Sequence, residues 1–151
     1  MATEPVADER GLLLAEISNV VVRVHKRFYG KGPVRARAHL SRDLLTVVLE
    51  GGFTRAEQTL LRHGHSRQVI DSRLAIEETV GDELRAVVET ILCRAVRSFM
   101  SAPDPANELQ VEVFVLQPHG SEESPDGDVP TARLDGSSSN GKGSGPPATE
   151  P

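Results

Sequence analysis

Residues 34–41 alternate strictly between apolar and polar side chains, and this alternation constrains the fold more than any other stretch of the sequence. Because successive side chains of a strand point to opposite faces, a period of two predicts a half-buried strand. A short polar joint leads to a more apolar run, residues 44–49, so the two runs should pair as an antiparallel hairpin. The hairpin is predicted to begin after Gly30 and Pro33, which end a helix, and to end at Gly51.

Helical periodicity surrounds this hairpin. A first helix should begin at Asp8 or Glu9, because acids suit the positive end of the helix dipole. Its apolar stripe repeats at steps of three and four residues and consists of Leu13, Ile17, Val20, Val21, Val24 and Phe28. Further apolar residues widen the stripe, so we expect a homo-oligomer, a dimer through this helix. A helix sunk deep in its own domain explains the width equally well.

Two more helices are expected after the hairpin. Thr54 and Glu57 have the spacing of a capping box, which predicts the start of the second helix. The third should run from about Ser66 to Leu92, although Gly81 inside it costs about 1 kcal/mol relative to alanine. The charged side of the third helix is interpreted as a solvated face.

Residues 94–100 fit either a continuation of the third helix or a strand. Pro103 and Pro105 predict a loop after them, and the alternation over residues 109–116 predicts a strand. A strand–loop–strand hairpin is favoured. The sequence therefore predicts an α+β two-layer sandwich, with a mostly antiparallel four-stranded sheet, helices on one face and the order α-β-β-α-α-β-β.

Composition divides the chain into three parts. Residues 8–117 hold every periodic segment, and residues 1–7 predict a flexible N-terminus. Residues 118–151 are rich in glycine, serine and proline, which predicts a disordered tail. Because residues 117–151 carry six acids and two bases, most of the net charge of −5 belongs to this tail.

Several classes of protein are disfavoured. Cys93 is the one cysteine, so no internal disulfide can form. No run approaches the roughly 20 apolar residues of a membrane span, and the N-terminus lacks the apolar core of a signal peptide. We therefore expect a cytoplasmic protein without membrane insertion. The sequence contains no recognised nucleophile or metalloprotease pattern, so a non-catalytic role is favoured and no cofactor is expected.

The strongest electrostatic feature is a basic stretch between Glu16 and Asp43, which contains no acid. A glycine loop and the first strand gather its candidate binding residues, which are Lys31, Arg35, Arg37 and His39. Such a surface could bind a small anion or an acidic partner. The alternative is a structural role, with the arginines paired to Glu50 and Glu112 on neighbouring strands.

Histidines offer a weaker signal. His63 and His65 flank Gly64 at a helix joint, but two histidines without an obvious third ligand make a weak metal motif. Solvated imidazoles at a helix end are the simpler interpretation, and no metal site is expected. His25 and His39 are lone residues, interpreted as packing or surface groups.

The spacing of the junctions resembles that of one family. Four segments show this resemblance: Phe28-Tyr29-Gly30-Lys31-Gly32-Pro33, Val48-Leu49-Glu50-Gly51-Gly52-Phe53-Thr54, Glu57-Gln58-Thr59-Leu60-Leu61 and Glu112-Val113-Phe114-Val115-Leu116. Over roughly residues 9–118 these segments resemble the MpsC-like family, once a domain of unknown function and described as part of a sodium-translocating, membrane-potential-generating system. Leu92-Cys93 departs from the glycine that the family tends to have there, which puts the start of the third strand in doubt.

The resemblance implies an accessory or regulatory component linked to a membrane sodium or inorganic-carbon transport system, with transport subunits as partners. It implies no catalytic residues. The alternative is a nucleic-acid-binding module, because the element order is loosely similar to type II KH domains. The turn at residues 62–65 lacks the Gly-x-x-Gly clamp and aromatic residues are scarce, so nucleic acid is not the favoured partner.

Overall fold

The computed structural model describes residues 6–119, and within this range the chain forms three helices and four strands in the predicted order. The elements are α1 (Val6–Tyr29), β1 (Arg35–Ser41), β2 (Leu44–Glu50), α2 (Arg55–Arg62), α3 (Ser66–Leu92), β3 (Val96–Asp104) and β4 (Leu109–Leu116). A short 3-10 turn, Pro105–Asn107, joins the last two strands. Helix α1 begins two or three residues earlier than predicted, at Val6 rather than at Asp8 or Glu9. Residues 1–5 and the predicted tail from residue 120 lie outside the described residues.

The four strands form one antiparallel sheet in the order β1-β2-β4-β3. The β1–β2 and β3–β4 hairpins meet where β2 pairs with β4, so these two strands are central. This confirms the predicted α+β sandwich. It also confirms the hairpin interpretation of the segment after α3, because Cys93 closes that helix in the left-handed conformation, with φ +52°, and β3 begins at Val96. Cysteine here adopts the backbone conformation that glycine adopts most readily.

Proline marks the outer edge of the sheet. The prediction of a loop is right for Pro105, which opens the 3-10 turn, and wrong for Pro103, which lies inside β3. Strand β3 is an edge strand, and proline is tolerated there because only one side of an edge strand must donate to a neighbour.

The core lies between the sheet and the helices α1 and α3. Apolar side chains from both layers fill it, namely Ile17, Val21, Val24, Leu45, Val47, Leu49, Val80, Leu84, Val88, Phe114 and Leu116. Strand β4 contributes its even-numbered residues to this side, so Gln110 and Glu112 are buried in line with Phe114. The alternative in which the arginines pair with Glu50 and Glu112 on the outer face is therefore wrong for Glu112. A period of two separates the faces of a strand without saying which one is covered.

Two glycine junctions pack against each other beside the core. Gly52 has φ +83°, and a Cβ there would lie 3.0 Å from the Pro33 nitrogen. The predicted capping box is present next to it, since Thr54 Oγ1 accepts from the Glu57 backbone and Glu57 Oε2 accepts from the Thr54 backbone. The Gly-Pro and Gly-Gly-Phe-Thr segments thus form one joint that sets the entry to β1 and the start of α2.

Candidate functional site

Three ionisable side chains from three elements meet in the interior. His25 of α1 and Glu77 of α3 are each 2% exposed, and Glu112 of β4 is fully buried. His25 Nε2 lies 3.0 Å from Glu112 Oε1 and 3.2 Å from Glu77 Oε1. Buried charges persist when they are paired or hold a metal, so such a cluster within an apolar core needs a compensating arrangement.

The helix backbone fixes the orientation of the imidazole. His25 Nδ1 lies 2.9 Å from the carbonyl oxygen of Val21, one turn earlier in α1. A carbonyl can only accept, so Nδ1 carries the proton and donates it. Nε2 is therefore the atom that faces the two carboxylates.

Neutral donors surround the carboxylates. The Gln110 amide nitrogen lies 2.9 Å from Oε1 of both Glu77 and Glu112, and 3.0 Å from Ser101 Oγ. Tyr29 donates its hydroxyl to Glu77 Oε1 over 2.6 Å. These contacts hold both Oε1 atoms in fixed positions around the imidazole.

Arg73 contacts this cluster indirectly, through Gln110 and Tyr29. Its Nη1 donates to Gln110 Oε1 over 2.7 Å, which turns the amide nitrogen of Gln110 towards the carboxylates. Its guanidinium carbon lies 4.4 Å from the centre of the Tyr29 ring and 3.9 Å from that of Phe53. Nε and Nη2 pair with the Glu57 carboxylate at 2.8 and 2.9 Å, so the charge of Arg73 is matched by Glu57.

The electrostatics follow from burial and from these contacts. Burial lowers the pKa of His25, but hydrogen bonds to Glu112 and Glu77 and the charges of these carboxylates outweigh it and raise that pKa to about 9. Burial alone would raise the pKa of Glu77, yet the hydrogen bond and charge of His25 hold it below its usual value. For Glu112, burial dominates and raises the pKa of the carboxyl. Burial, reinforced by the Glu77 carboxylate, also raises the pKa of the Tyr29 hydroxyl.

A cleft reaches the cluster from one side. Its volume is about 410 Å³, and its lining includes Glu77, Gly81, Phe99 and Ser101. Gly81 is buried against the Phe99 ring, where a Cβ would lie 3.0 Å from Cδ1. The absence of a side chain at Gly81 therefore allows the Phe99 ring to pack against α3 beside the cleft.

This site, which we call the histidine–glutamate cluster, consists of His25, Glu77 and Glu112 and was not predicted from the sequence. From the sequence, His25 is interpreted as a lone packing or surface group. The charged side of α3, which includes Glu77, is interpreted as a solvated face, and this is wrong for Glu77, which is buried. One signal was available. His25 lies four residues after Val21 on the apolar stripe of α1, and Glu112 lies two residues before Phe114 on one face of β4. Polar residues in phase with buried positions on two elements indicate a buried polar contact.

The predicted basic residues lie elsewhere. Arg35 and Arg37 are exposed on the outer face of β1 and both pair with Glu50, at 3.6 and 3.0 Å. His39 is exposed on the same strand. Lys31, in the loop before β1, donates to the carbonyl oxygen of Phe53 over 3.2 Å. The structure therefore brings the two arginines together on one carboxylate and directs the lysine to the backbone.

The weak histidine motif stays at the surface. His63 and His65 are exposed on either side of Gly64 at the α2–α3 joint. Over residues 6–119, the grouping of histidine and acids with metal-ligand spacing is the histidine–glutamate cluster, whose ligand atoms all lie within 4.8 Å of one another. An imidazole and two carboxylates can hold a proton or a cation.

Comparison with known proteins adds one finding. A family model described as "Na+-translocating membrane potential-generating system (MpsC)" matches residues 9–118, which is most of the chain. No curated protein and no solved structure matches the sequence. Within residues 6–119, no helix combines the length and the apolar character that crossing a membrane requires.

Proposed function

This chain belongs to the MpsC family, and from that membership we propose that it is a non-catalytic accessory or regulatory component of a membrane sodium or inorganic-carbon transport system. It acts by binding an acidic and apolar segment of a partner protein on the open face of its sheet. The observation that carries this proposal is the composition of that face, which the helices leave uncovered.

The open face has an apolar centre. The helices cover the other side of the sheet, so the residues of β2, β4 and β3 that point away from them form an apolar strip. The strip consists of the half-buried Val48, Val111, Val113 and Val115 with the exposed Leu44 and Met100. Register places Val48 beside Val111, and Val113 beside Met100. A contiguous apolar strip rimmed by polar groups is typical of a protein-binding surface.

One rim of this face is positively charged. Arg37 lies opposite Val48, and His39 lies opposite Thr46, so β1 forms the border of the apolar strip. Arg35 and Arg37 share the single carboxylate of Glu50, and both arginine side chains remain more than half exposed. Two guanidinium groups on one carboxylate leave this rim positive, and complementary charge on a partner favours encounter and fixes orientation. The partner segment is therefore acidic as well as apolar.

A capture experiment tests this proposal. Wild-type chain and the double variant Arg35→Gln, Arg37→Gln are immobilised and incubated with detergent-solubilised membranes of the source cells, and bound proteins are identified by mass spectrometry. We expect an ion-transport membrane subunit to be enriched by the wild type and lost with the variant. The matched control is Arg62→Gln, Arg67→Gln, which removes two exposed arginines from the helical layer and should leave capture unchanged.

Two outcomes would overturn the proposal. Equal capture of the transport subunit by both double variants would show that the basic rim plays no part. Binding of single-stranded RNA that weakens steeply with salt, and that is lost with the Arg35 and Arg37 variant, would instead identify the surface as a nucleic-acid site.

A further inference from the structure

We propose that the histidine–glutamate cluster binds one divalent first-row transition-metal ion, with His25 Nε2, one oxygen of Glu77 and one oxygen of Glu112 as ligands. The three ligand atoms lie within 4.8 Å of one another and come from α1, α3 and β4. This inference is independent of the function proposed for the open face of the sheet.

The hydrogen bond of His25 to the backbone demands a positive species at Nε2. Because Nδ1 donates to Val21, a neutral imidazole presents a bare lone pair at Nε2. That lone pair would face carboxylate oxygens at 3.0 and 3.2 Å, an arrangement of like partial charges. A proton or a metal ion between the three atoms removes the conflict. Nδ1 donation to a backbone carbonyl is also the usual way in which proteins orient a metal-binding histidine.

A divalent ion would balance the charge of the cluster. The guanidinium that contacts Gln110 and Tyr29 beside the cluster, that of Arg73, is already matched by Glu57. The other groups that donate to the two carboxylates, Tyr29 and Gln110, are neutral. Two carboxylates with a neutral imidazole carry two negative charges in the protein interior, which a divalent cation neutralises. Without such a cation, protons on the imidazole and on a carboxyl balance the charge, since the pKa of His25 and that of Glu112 are raised, so the ion would bind in competition with protons.

Each glutamate also has a free oxygen. Among the residues that the structure describes, neither Glu77 Oε2 nor Glu112 Oε2 has a hydrogen-bond partner, although both are buried. Buried polar atoms are nearly always paired, so two orphaned oxygens in one cluster point to a ligand. The Oε1 atoms are already held by Gln110, and that amide is fixed in turn by Arg73. This is the supporting shell that oriented metal ligands require.

The cleft supplies a route to the cluster. It is lined by Glu77 and Ser101, which belong to the network, and by Glu78, Asp82 and Arg85 nearer to solvent. Two exposed acids against one base give this entrance a negative bias, which attracts cations. One nitrogen and two oxygen donors suit Mn²⁺, Fe²⁺, Co²⁺ or Zn²⁺, whereas Ca²⁺ requires six to eight oxygen ligands.

Tyrosine fluorescence gives a direct readout of this site. The chain has one tyrosine and no tryptophan, so its ultraviolet emission comes from Tyr29, whose hydroxyl contacts Glu77. The full-length chain is freed of metal and titrated with Zn²⁺, Mn²⁺ and Co²⁺ in turn. We expect at least one of these ions to change the emission at a stoichiometry of one. The same ion should raise the Tm by about 5 °C or more at a hundredfold excess over its Kd.

Variants assign the ligands. Glu112→Gln removes a ligand charge and keeps a polar group of the same shape, and Glu77→Gln does the same from the cleft side. We expect either change to weaken binding at least about 10-fold. The matched control is His63→Ala, His65→Ala, which removes the exposed histidine pair and should bind as the wild type does. Far-ultraviolet circular dichroism establishes that each variant is folded, and the second glutamine variant replaces the first if one does not fold.

Three results would overturn the proposal. The first is a wild-type chain whose Tyr29 emission and Tm respond to none of the three ions at 100-fold molar excess, which would leave a proton as the species at Nε2. The second is undiminished binding by both folded glutamine variants. The third is loss of binding in the His63 and His65 variant, which would place the ion at the α2–α3 joint.

Discussion

Arg73 and Glu57 form a two-point ion pair in which Nε lies 2.8 Å from Oε1 and Nη2 lies 2.9 Å from Oε2. The Arg73 side chain is 3% exposed, and Glu57 at the same time caps α2. Lysine cannot reproduce the two parallel bonds or the stacking on Tyr29 and Phe53. We expect Arg73→Lys to lower the free energy of unfolding by about 3 kcal/mol in urea denaturation. Arg67→Lys, at an exposed pair, should change it by less than about 0.5 kcal/mol, and equal effects would contradict the prediction.

The Tyr29 hydroxyl offers a second test of the buried network. It donates to Glu77 Oε1 over 2.6 Å, and hydrogen bonds to charged groups contribute about 1.5–3 kcal/mol. Tyr29→Phe should lower the free energy of unfolding by that amount, measured by urea denaturation followed by circular dichroism. Ser18→Ala is the control, because it removes a hydroxyl in the same helix that donates to the uncharged carbonyl of Leu14. A loss no larger than that of the control would show that Glu77 is not anchored by Tyr29.

The glycine joint predicts a difference between two positions with nearly the same backbone. Gly52 and Gly64 have φ of +83° and +80°, but a Cβ at Gly52 would lie 3.0 Å from the Pro33 nitrogen and a Cβ at Gly64 would meet nothing within 4 Å. Alanine at Gly64 should cost about 1 kcal/mol for the backbone conformation alone. Alanine at Gly52 should cost more, about 2–3 kcal/mol, in a thermal or urea melt. An equal loss of unfolding free energy at the two positions would show that the Pro33 backbone shifts to accommodate a Cβ at Gly52.

Removing the basic rim should abolish partner binding without lowering the stability of the domain. Arg35→Gln with Arg37→Gln removes two exposed ion pairs to Glu50, each of which contributes less than about 1 kcal/mol. We expect a Tm within a few degrees of the wild type, together with the loss of partner capture. A variant that melts much lower and still captures the transport subunit would leave Arg35 and Arg37 as scaffold residues.

The dimer predicted through α1 remains to be measured. Leu12 is 71% exposed and Leu13 36% exposed on this helix, so apolar surface remains outside the domain core. We expect light scattering at about 10 µM to give twice the chain mass of 16.3 kDa. Leu12→Glu with Leu13→Glu should give a monomer, and Met100→Glu on the open sheet face should not. A wild-type monomer, or dissociation by the Met100 variant alone, would contradict an α1 interface.

Local periodicity predicted the elements correctly. The alternation over residues 34–41, the capping box at Thr54 and the two long helices each depend on neighbours along the chain, and all of them are present in the structure. The apolar stripe predicted for α1 is buried at Ile17, Val21 and Val24, whereas Leu13 and Phe28 at its two ends are exposed. The element order and the two-layer class followed, because hairpins and amphipathic helices have few ways to bury their apolar faces. The start of β3 was left in doubt by the sequence, because Cys93 stands where the resembling family tends to have glycine. In the structure Cys93 adopts a left-handed backbone and β3 begins at Val96.

The sequence by itself thus determined the elements and their order, and the tertiary structure decided which faces are buried and which charges meet. Glu50 and Glu112 are both glutamates next to apolar residues of a strand, so the sequence does not distinguish their surroundings. In the structure Glu50 pairs with Arg37 at the surface, whereas Glu112 contacts His25 in the interior. His25, Glu77 and Glu112 are separated by 52 and 35 residues, and only the packing of α1, α3 and β4 brings them within hydrogen-bonding distance. Periodicity is a local property, whereas the partner of a buried charge is set by long-range contact, which no single segment encodes.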